Sequence, residues 1–124
     1  MKKTIVEKAI ESRSEQLTAL SDRIWGYAET AFVEFKSADD LCATLEAEGF
    51  KVERNVADIA TAFTGTFGSG KPVIGFLGEY DALFNLSQVG CSATREPLEK
   101  GACGHGCGHN LLGVGSLAAA IAVK

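Results

Sequence analysis

The residues with the clearest chemical potential lie in one short stretch, CGHGCGH, which places Cys103, His105, Cys107 and His109 at every second position. Cysteine thiolate and neutral imidazole are both good ligands for zinc and similar divalent ions, and the intervening glycines permit tight backbone turns. The stretch therefore predicts a metal-binding loop. A tetrahedral site is hard to close within so short a segment, because structural zinc sites usually take two ligands from a distant loop.

Two metal arrangements of this loop stay open from the residues alone. In one, all four side chains close a small non-catalytic zinc-binding module. In the other, Cys107 and His109 bind metal at the start of the following helix, and the remaining ligands come from elsewhere. A redox pair of Cys103 and Cys107 is disfavoured, because the spacing is not Cys-x-x-Cys and no thioredoxin-like pattern surrounds it. Cys42 and Cys91 have no ligand spacing around them.

A second chemical feature is GEYDAL, which places Glu79 and Asp81 directly after an apolar run. Carboxylates at the carboxyl end of a strand are a common place for site residues in α/β folds. Glu79 fits the start of a solvated loop equally well. Asp81 is the stronger candidate of the two, since its segment and the Cys and His loop match one family pattern together.

A third stretch, GTFGSGK at residues 65–71, matches part of a phosphate-binding loop frame. Such a loop runs from a strand into a helix, with a hydroxyl residue after the lysine to hold magnesium. Here Pro72 follows the lysine, and an apolar β-like run comes next. The stretch therefore predicts a hairpin turn rather than a nucleotide site.

The elements that must position these residues begin with helices. Apolar residues recur at helical spacing across residues 5–27, with an interruption near residues 12–14. Ser37 with Asp40 three residues later predicts the start of a second helix, and Gly49 predicts its end. A last helix begins after the ligand loop, with Asn110 as its N-cap.

Strands fill the middle of the chain. Alternating residues at 50–53, a Thr- and Phe-rich run at 60–67 and an apolar run at 73–77 predict three strands. GSGK closes a hairpin between the last two. A long loop, residues 79–108, then leads to the ligands. The fold class is α/β, with two helices, about three strands, the metal-ligand loop and a helix.

Composition limits the function further. The chain has 124 residues and is 46% hydrophobic, which suits one globular domain. Its net charge is −4 with no basic cluster, so a nucleic-acid partner is not expected. The weakly polar run 111–123 is too short to span a bilayer, and glutamates interrupt the amino terminus, so we expect a soluble cytoplasmic protein without membrane association. Its four cysteines are then expected to be thiols.

Together, GEYDAL and HGCGHN give the sequence a resemblance to the amidohydrolase branch of the aminoacylase and carboxypeptidase-G-like zinc metallopeptidases. Further similarity runs through WGYAETAF, LEAEGFKV and HGCGHNLLGVGSLAAA, so it covers nearly the whole chain. The resemblance implies that residues 1–124 are the amino-terminal part of a zinc-exopeptidase-like catalytic domain, without the dimerisation or lid domain. It also implies a full-length protein that assembles as a homo-oligomer or heteromer.

The same resemblance assigns chemistry. It implies that Cys107 and His109 are metal ligands and that Asp81 lies in or beside the site, where a carboxylate can accept the free N–H of a metal-bound imidazole and orient it. It implies two divalent ions, Zn or Mn, and hydrolysis of the amide bond of an N-acyl or N-aroyl amino acid or dipeptide. The catalytic glutamate and the other ligands are expected outside residues 1–124, so this chain alone is expected to be inactive.

Overall fold

The computed structural model describes residues 3–124 and confirms the α/β class. Within these residues there are four α-helices and a two-stranded antiparallel sheet, which packs on the third of these helices and whose register sets Lys51 opposite Thr66. None of the described helices combines the length and the apolar character that crossing a membrane requires. The elements in chain order are α1 (Lys3–Glu11), α2 (Ser14–Tyr27), α3 (Phe35–Ala47), β1 (Lys51–Arg54), β2 (Phe63–Thr66) and α4 (His109–Val123).

The predicted interruption of the first helical pattern is confirmed, because α1 ends at Glu11 and α2 begins at Ser14. The Ser12 hydroxyl donates a hydrogen bond to the Ala9 carbonyl (3.1 Å) and competes with the next helical turn. The Arg13 side chain turns away to Glu48 at the end of α3, with Nε 2.6 Å from Oε1. The break therefore lets one side chain tie three helices together.

The predicted start of α3 is wrong, because the helix begins at Phe35 and Ser37 lies inside its first turn. The Glu29 carboxylate accepts the backbone N–H groups of Lys36 (3.0 Å) and Ser37 (2.9 Å) and the Ser37 hydroxyl (2.8 Å). These N–H groups have no partner within the helix, so an acceptor from outside replaces the usual capping side chain.

The predicted end of α3 at Gly49 is confirmed. Gly49 has φ +83°, its N–H donates to the Glu46 carbonyl (2.9 Å), and the Phe50 N–H donates to the Leu45 carbonyl (3.0 Å). This pair of bonds is a Schellman motif, which glycine favours because it adopts a left-handed backbone without strain.

Only two of the three predicted strands form within residues 3–124, so the prediction of a strand at 73–77 is wrong. The β1–β2 hairpin is closed by residues 55–62, and GSGK therefore does not close a hairpin. The segment 73–77 pairs with neither strand, and Leu77 is 93% exposed. A strand needs a neighbouring strand for its backbone N–H and C=O groups, and the described residues place none beside this segment.

Helix α4 begins at His109, which is two residues before the start that an Asn110 N-cap would give, and follows Gly108 at φ +79°. The prediction that Asn110 is the N-cap is wrong. Asn110 is buried in the first turn, where its Nδ2 donates to the Ser21 hydroxyl of α2 (3.0 Å). One apolar core joins α2, α3 and α4 through Leu17, Leu20, Ile24, Leu41, Leu45, Phe50, Val114, Leu117 and Ile121.

Candidate metal centre

Small residues in α4 let the GEYDAL segment lie directly on the helix. A Cβ atom at Gly113 would lie 3.0 Å from the Tyr80 Cβ, and one at Gly78 would lie 3.0 Å from the Ser116 Cβ. The Ser116 hydroxyl donates to the Leu77 carbonyl (2.8 Å). A larger side chain at either glycine would push the segment outward, so this close approach sets the distance between the GEYDAL carboxylates and the start of α4.

Backbone hydrogen bonds on both sides then hold the segment that follows Asp81. The Ala82 N–H donates to the Glu29 carbonyl (2.7 Å), and Leu83 and Gly104 exchange two backbone hydrogen bonds (2.9 and 3.0 Å). A Cβ atom at Gly104 would overlap the carbonyl of Leu86. Only glycine therefore permits this approach, which brings the CGHGCGH stretch beside Asp81.

His105 anchors the ligand loop to α2. Its buried Nε2 lies 3.0 Å from the Ile24 carbonyl oxygen, which can only accept, so Nε2 carries the hydrogen. Burial lowers the pKa of His105, which favours the neutral imidazole. The His105 ring is therefore hydrogen-bonded to α2 and lies outside the cluster formed by the other candidate ligands.

His109 lies between the two carboxylates of GEYDAL. Its Nδ1 is 2.9 Å from the Asp81 Oδ1 and 3.1 Å from the Asp81 carbonyl oxygen, and its Nε2 is 3.3 Å from the Glu79 Oε1. The His109 side chain is 14% exposed, whereas that of Glu79 is 61% exposed. The cluster therefore opens to solvent on the Glu79 side.

The structure brings together two of the predicted site residues, Asp81 and His109, and leaves the third, Cys107, exposed outside their cluster. Glu79, which the sequence left open, joins them. The alternation of side chains in an extended segment could have identified it, because residues 79 and 81 share a face. Glu29, whose carbonyl accepts the Ala82 N–H and whose carboxylate caps α3, had no local signal in the sequence.

The structure does not bring Cys103, His105, Cys107 and His109 together, as a closed zinc module would require. Among residues 3–124, the group of three or more candidate ligand atoms within 4.8 Å of one another consists of Glu79, Asp81 and His109. The reason is physical: the His105 ring is buried against α2, whereas Cys107 faces solvent. All four cysteines are free thiols, at positions 42, 91, 103 and 107.

The distances in this cluster fit a divalent cation. Imidazole nitrogen and carboxylate oxygen lie about 2.0–2.2 Å from a tetrahedral zinc, so two ligands of one ion are about 3.3–3.6 Å apart. The Nε2 to Oε1 distance of 3.3 Å falls in that range. The remaining contact, from Nδ1 to Asp81, is the hydrogen bond that typically orients a metal-binding histidine.

Comparison with known proteins places the chain in a family. No family model matches it. The chain is 52% identical over 119 residues to a subunit of p-aminobenzoyl-glutamate hydrolase from Escherichia coli (strain K12), an alignment that covers 96% of this chain and 25% of that protein. The chain thus spans about a quarter of the length of the curated relative that it matches. This identity extends over nearly the whole length of the chain and confirms the resemblance carried by GEYDAL and HGCGHN. The chain belongs to the amidohydrolase family that includes this p-aminobenzoyl-glutamate hydrolase.

Proposed function

We propose that this chain forms part of the catalytic domain of a metal-dependent amide hydrolase, which cleaves an N-acyl or N-aroyl amino acid or dipeptide. The observation that carries the proposal is the Asp81 to His109 hydrogen bond of 2.9 Å, found in a relative of a named aroyl-glutamate hydrolase. The zinc-exopeptidase-like fold belongs to the same proposal, with residues 1–124 as its amino-terminal part.

Within this chain each residue has a distinct task. Asp81 accepts the Nδ1–H of His109, which fixes the tautomer and makes Nε2 the more basic ligand. In this proposal His109 would be one metal ligand and Cys107, exposed in the loop before α4, would be a second. The general-base glutamate and the other ligands come from polypeptide outside residues 1–124. Divalent ions at such a site, two of Zn or Mn in this proposal, would polarise the amide carbonyl and lower the pKa of a bound water.

The relative is named as one subunit of its enzyme, and we extend this feature to the proposal. The protein that contains this chain then works as a homo-oligomer or heteromer. The exposed apolar segment 73–77 supports this view, because an apolar surface without a partner fits an interface with further polypeptide.

The test is a chimaera in which this chain replaces the matched quarter of the Escherichia coli relative. We expect the chimaera to release p-aminobenzoate from p-aminobenzoyl-glutamate, measured by chromatography, and this chain alone to release none. His109→Ala should lower kcat/KM at least about 100-fold, since removing even an orienting partner of a ligand costs about 10–100-fold.

The matched control is Glu53→Gln, an exposed residue of β1, which should leave the rate unchanged. A chimaera with the circular dichroism of the parent relative but no hydrolysis would contradict the proposal. Retained hydrolysis in His109→Ala would contradict the role given to this imidazole.

A further inference from the structure

The environment of His109 identifies which ring nitrogen carries the hydrogen. Nδ1 faces two oxygens, the Asp81 carboxylate (2.9 Å) and the Asp81 carbonyl (3.1 Å), and both of them only accept. Nδ1 is therefore the donor of the neutral ring, and Nε2 holds the free lone pair. That lone pair faces another acceptor, the Glu79 Oε1, at 3.3 Å.

Two acceptors that face each other repel unless a cation lies between them. A proton shared between an imidazolium and a carboxylate draws nitrogen and oxygen to about 2.7–2.9 Å. The Asp81 contact has that length, but the Glu79 contact is longer. The longer distance instead matches two ligands that share one metal ion, which lie about 3.3–3.6 Å apart.

We propose that Glu79 is itself a metal ligand and shares a divalent cation with His109, while Asp81 holds the imidazole in place. This inference rests on the metal centre of the proposed function and adds a ligand to it. Glu79 supplies an oxygen ligand on the solvent-facing side of the site, where its 61% exposure leaves room for a substrate and for water.

The contacts of Tyr80 fix the direction in which the neighbouring Glu79 side chain points. The Tyr80 hydroxyl donates to the Thr61 carbonyl, and its ring packs on Phe63 with ring centroids 5.8 Å apart. Because side chains alternate along an extended segment, a Tyr80 that points into the core directs both neighbouring carboxylates to the opposite face. That face is where His109 begins α4.

The donor set also selects the probe. Carboxylate oxygen with imidazole nitrogen suits Mn²⁺, whereas thiolates bind Zn²⁺ strongly. The chain has four free thiols that would compete for Zn²⁺, so Mn²⁺ is the ion that favours the carboxylate and imidazole ligands. The chain is titrated with Mn²⁺ up to millimolar concentration, and free Mn²⁺ is measured by electron paramagnetic resonance. Broadening of the His109 imidazole NMR signals is the second readout.

We expect Glu79→Gln and Glu79→Ala each to raise the Mn²⁺ dissociation constant at least about tenfold, with loss of the His109 broadening. Glu53→Gln removes the same charge from exposed β1 and should leave both readouts unchanged. Because Glu79 is exposed, its variants should retain the native NMR spectrum, which is recorded for each.

Two results would overturn the inference. Unchanged Mn²⁺ affinity in both Glu79 variants, with a loss in Cys107→Ala, would leave the proposed metal centre standing without Glu79 as a ligand. The absence of any His109 broadening in the wild-type chain at millimolar Mn²⁺ would remove the shared ion altogether. Conversely, Mn²⁺ binding at Glu79 and His109 beside an inactive chimaera would refute the proposed hydrolysis alone.

Discussion

Glu48 joins three helices, and its removal should make the stability of this protein far less sensitive to acid. Its carboxylate bonds Arg13, at the α1–α2 break, through two nitrogens (2.6 and 3.0 Å) and the Lys124 Nζ after α4 (2.7 Å). The Glu48 side chain is only 13% exposed. The Arg13 hydrogen bonds, followed by the Lys124 hydrogen bond, lower the pKa of Glu48 from 4.5 to about 2.

The magnitude and the sign follow from this pKa. A pKa that falls from 4.5 to about 2 corresponds to about 3 kcal/mol of stabilisation at neutral pH. Arg13 and Lys124 are partly exposed, so solvent screening reduces the expected contribution to about 1–3 kcal/mol. Because the folded-state pKa is lowered, this stability is fully present above pH 4.5 and is lost as the pH falls toward 2.

The assay is urea denaturation of the wild-type chain and of Glu48→Gln, followed by circular dichroism at pH 7, 4.5 and 2.5. We expect the variant to lose about 1–3 kcal/mol at pH 7 and to approach the wild type at pH 2.5. Glu46→Gln, an exposed residue of the same helix, is the control and should change stability by less than about 0.5 kcal/mol. A difference between Glu48→Gln and the wild type that is absent at pH 7, or as large at pH 2.5, would refute the reasoning.

Four other perturbations test separate contacts. Asp81→Asn should weaken Mn²⁺ binding about 10- to 100-fold in the resonance titration, because the ligand imidazole loses its charged partner; unchanged affinity would contradict this. Gly104→Ala should lower the free energy of unfolding in urea by at least about 1 kcal/mol, because a Cβ atom there meets a backbone carbonyl. Gly115→Ala, at a solvent-exposed position of α4, should instead raise it by up to about 1 kcal/mol. Equal effects of the two substitutions would exclude the close approach at Gly104. If the chain associates through the exposed apolar segment 73–77, Leu77→Glu should shift it toward monomer in sedimentation velocity, because the variant places a charge on that surface; an unchanged distribution would exclude association there. Cys42 should be alkylated last of the four thiols by mass spectrometry, because burial raises its pKa to about 11, and early labelling would refute its burial.

The parts of the fold that depend on local pattern could be predicted from the sequence. Helical spacing indicated the α1–α2 pair and its break, and a glycine at the right distance indicated the end of α3. The helix starts failed for one reason. The first-turn N–H groups of α3 bond to Glu29, and Asn110 turns to Ser21, so distant partners rather than neighbours decide both starts.

The strand and the site show the same limit. The run 73–77 has the composition of a strand, but strand formation depends on a partner that no local pattern specifies. GEYDAL and HGCGHN identified Asp81 and His109 as candidates by resemblance. The geometry that adds Glu79 and leaves Cys107 outside depends on contacts between α4 and a segment 28 residues earlier in the chain.

Because His105 is buried against α2, a metal ion at His109 would bind the folded chain and not the unfolded one. The His105 to Ile24 contact spans 81 residues and the Asn110 to Ser21 contact spans 89, so the two carboxylates and the imidazole meet only after the chain has closed over most of its length. A synthetic CGHGCGH peptide has none of these closures and would bind metal through its thiols instead. Binding and folding are then thermodynamically linked, and a cation present at about 100 times its dissociation constant would raise the free energy of unfolding by about 2.7 kcal/mol.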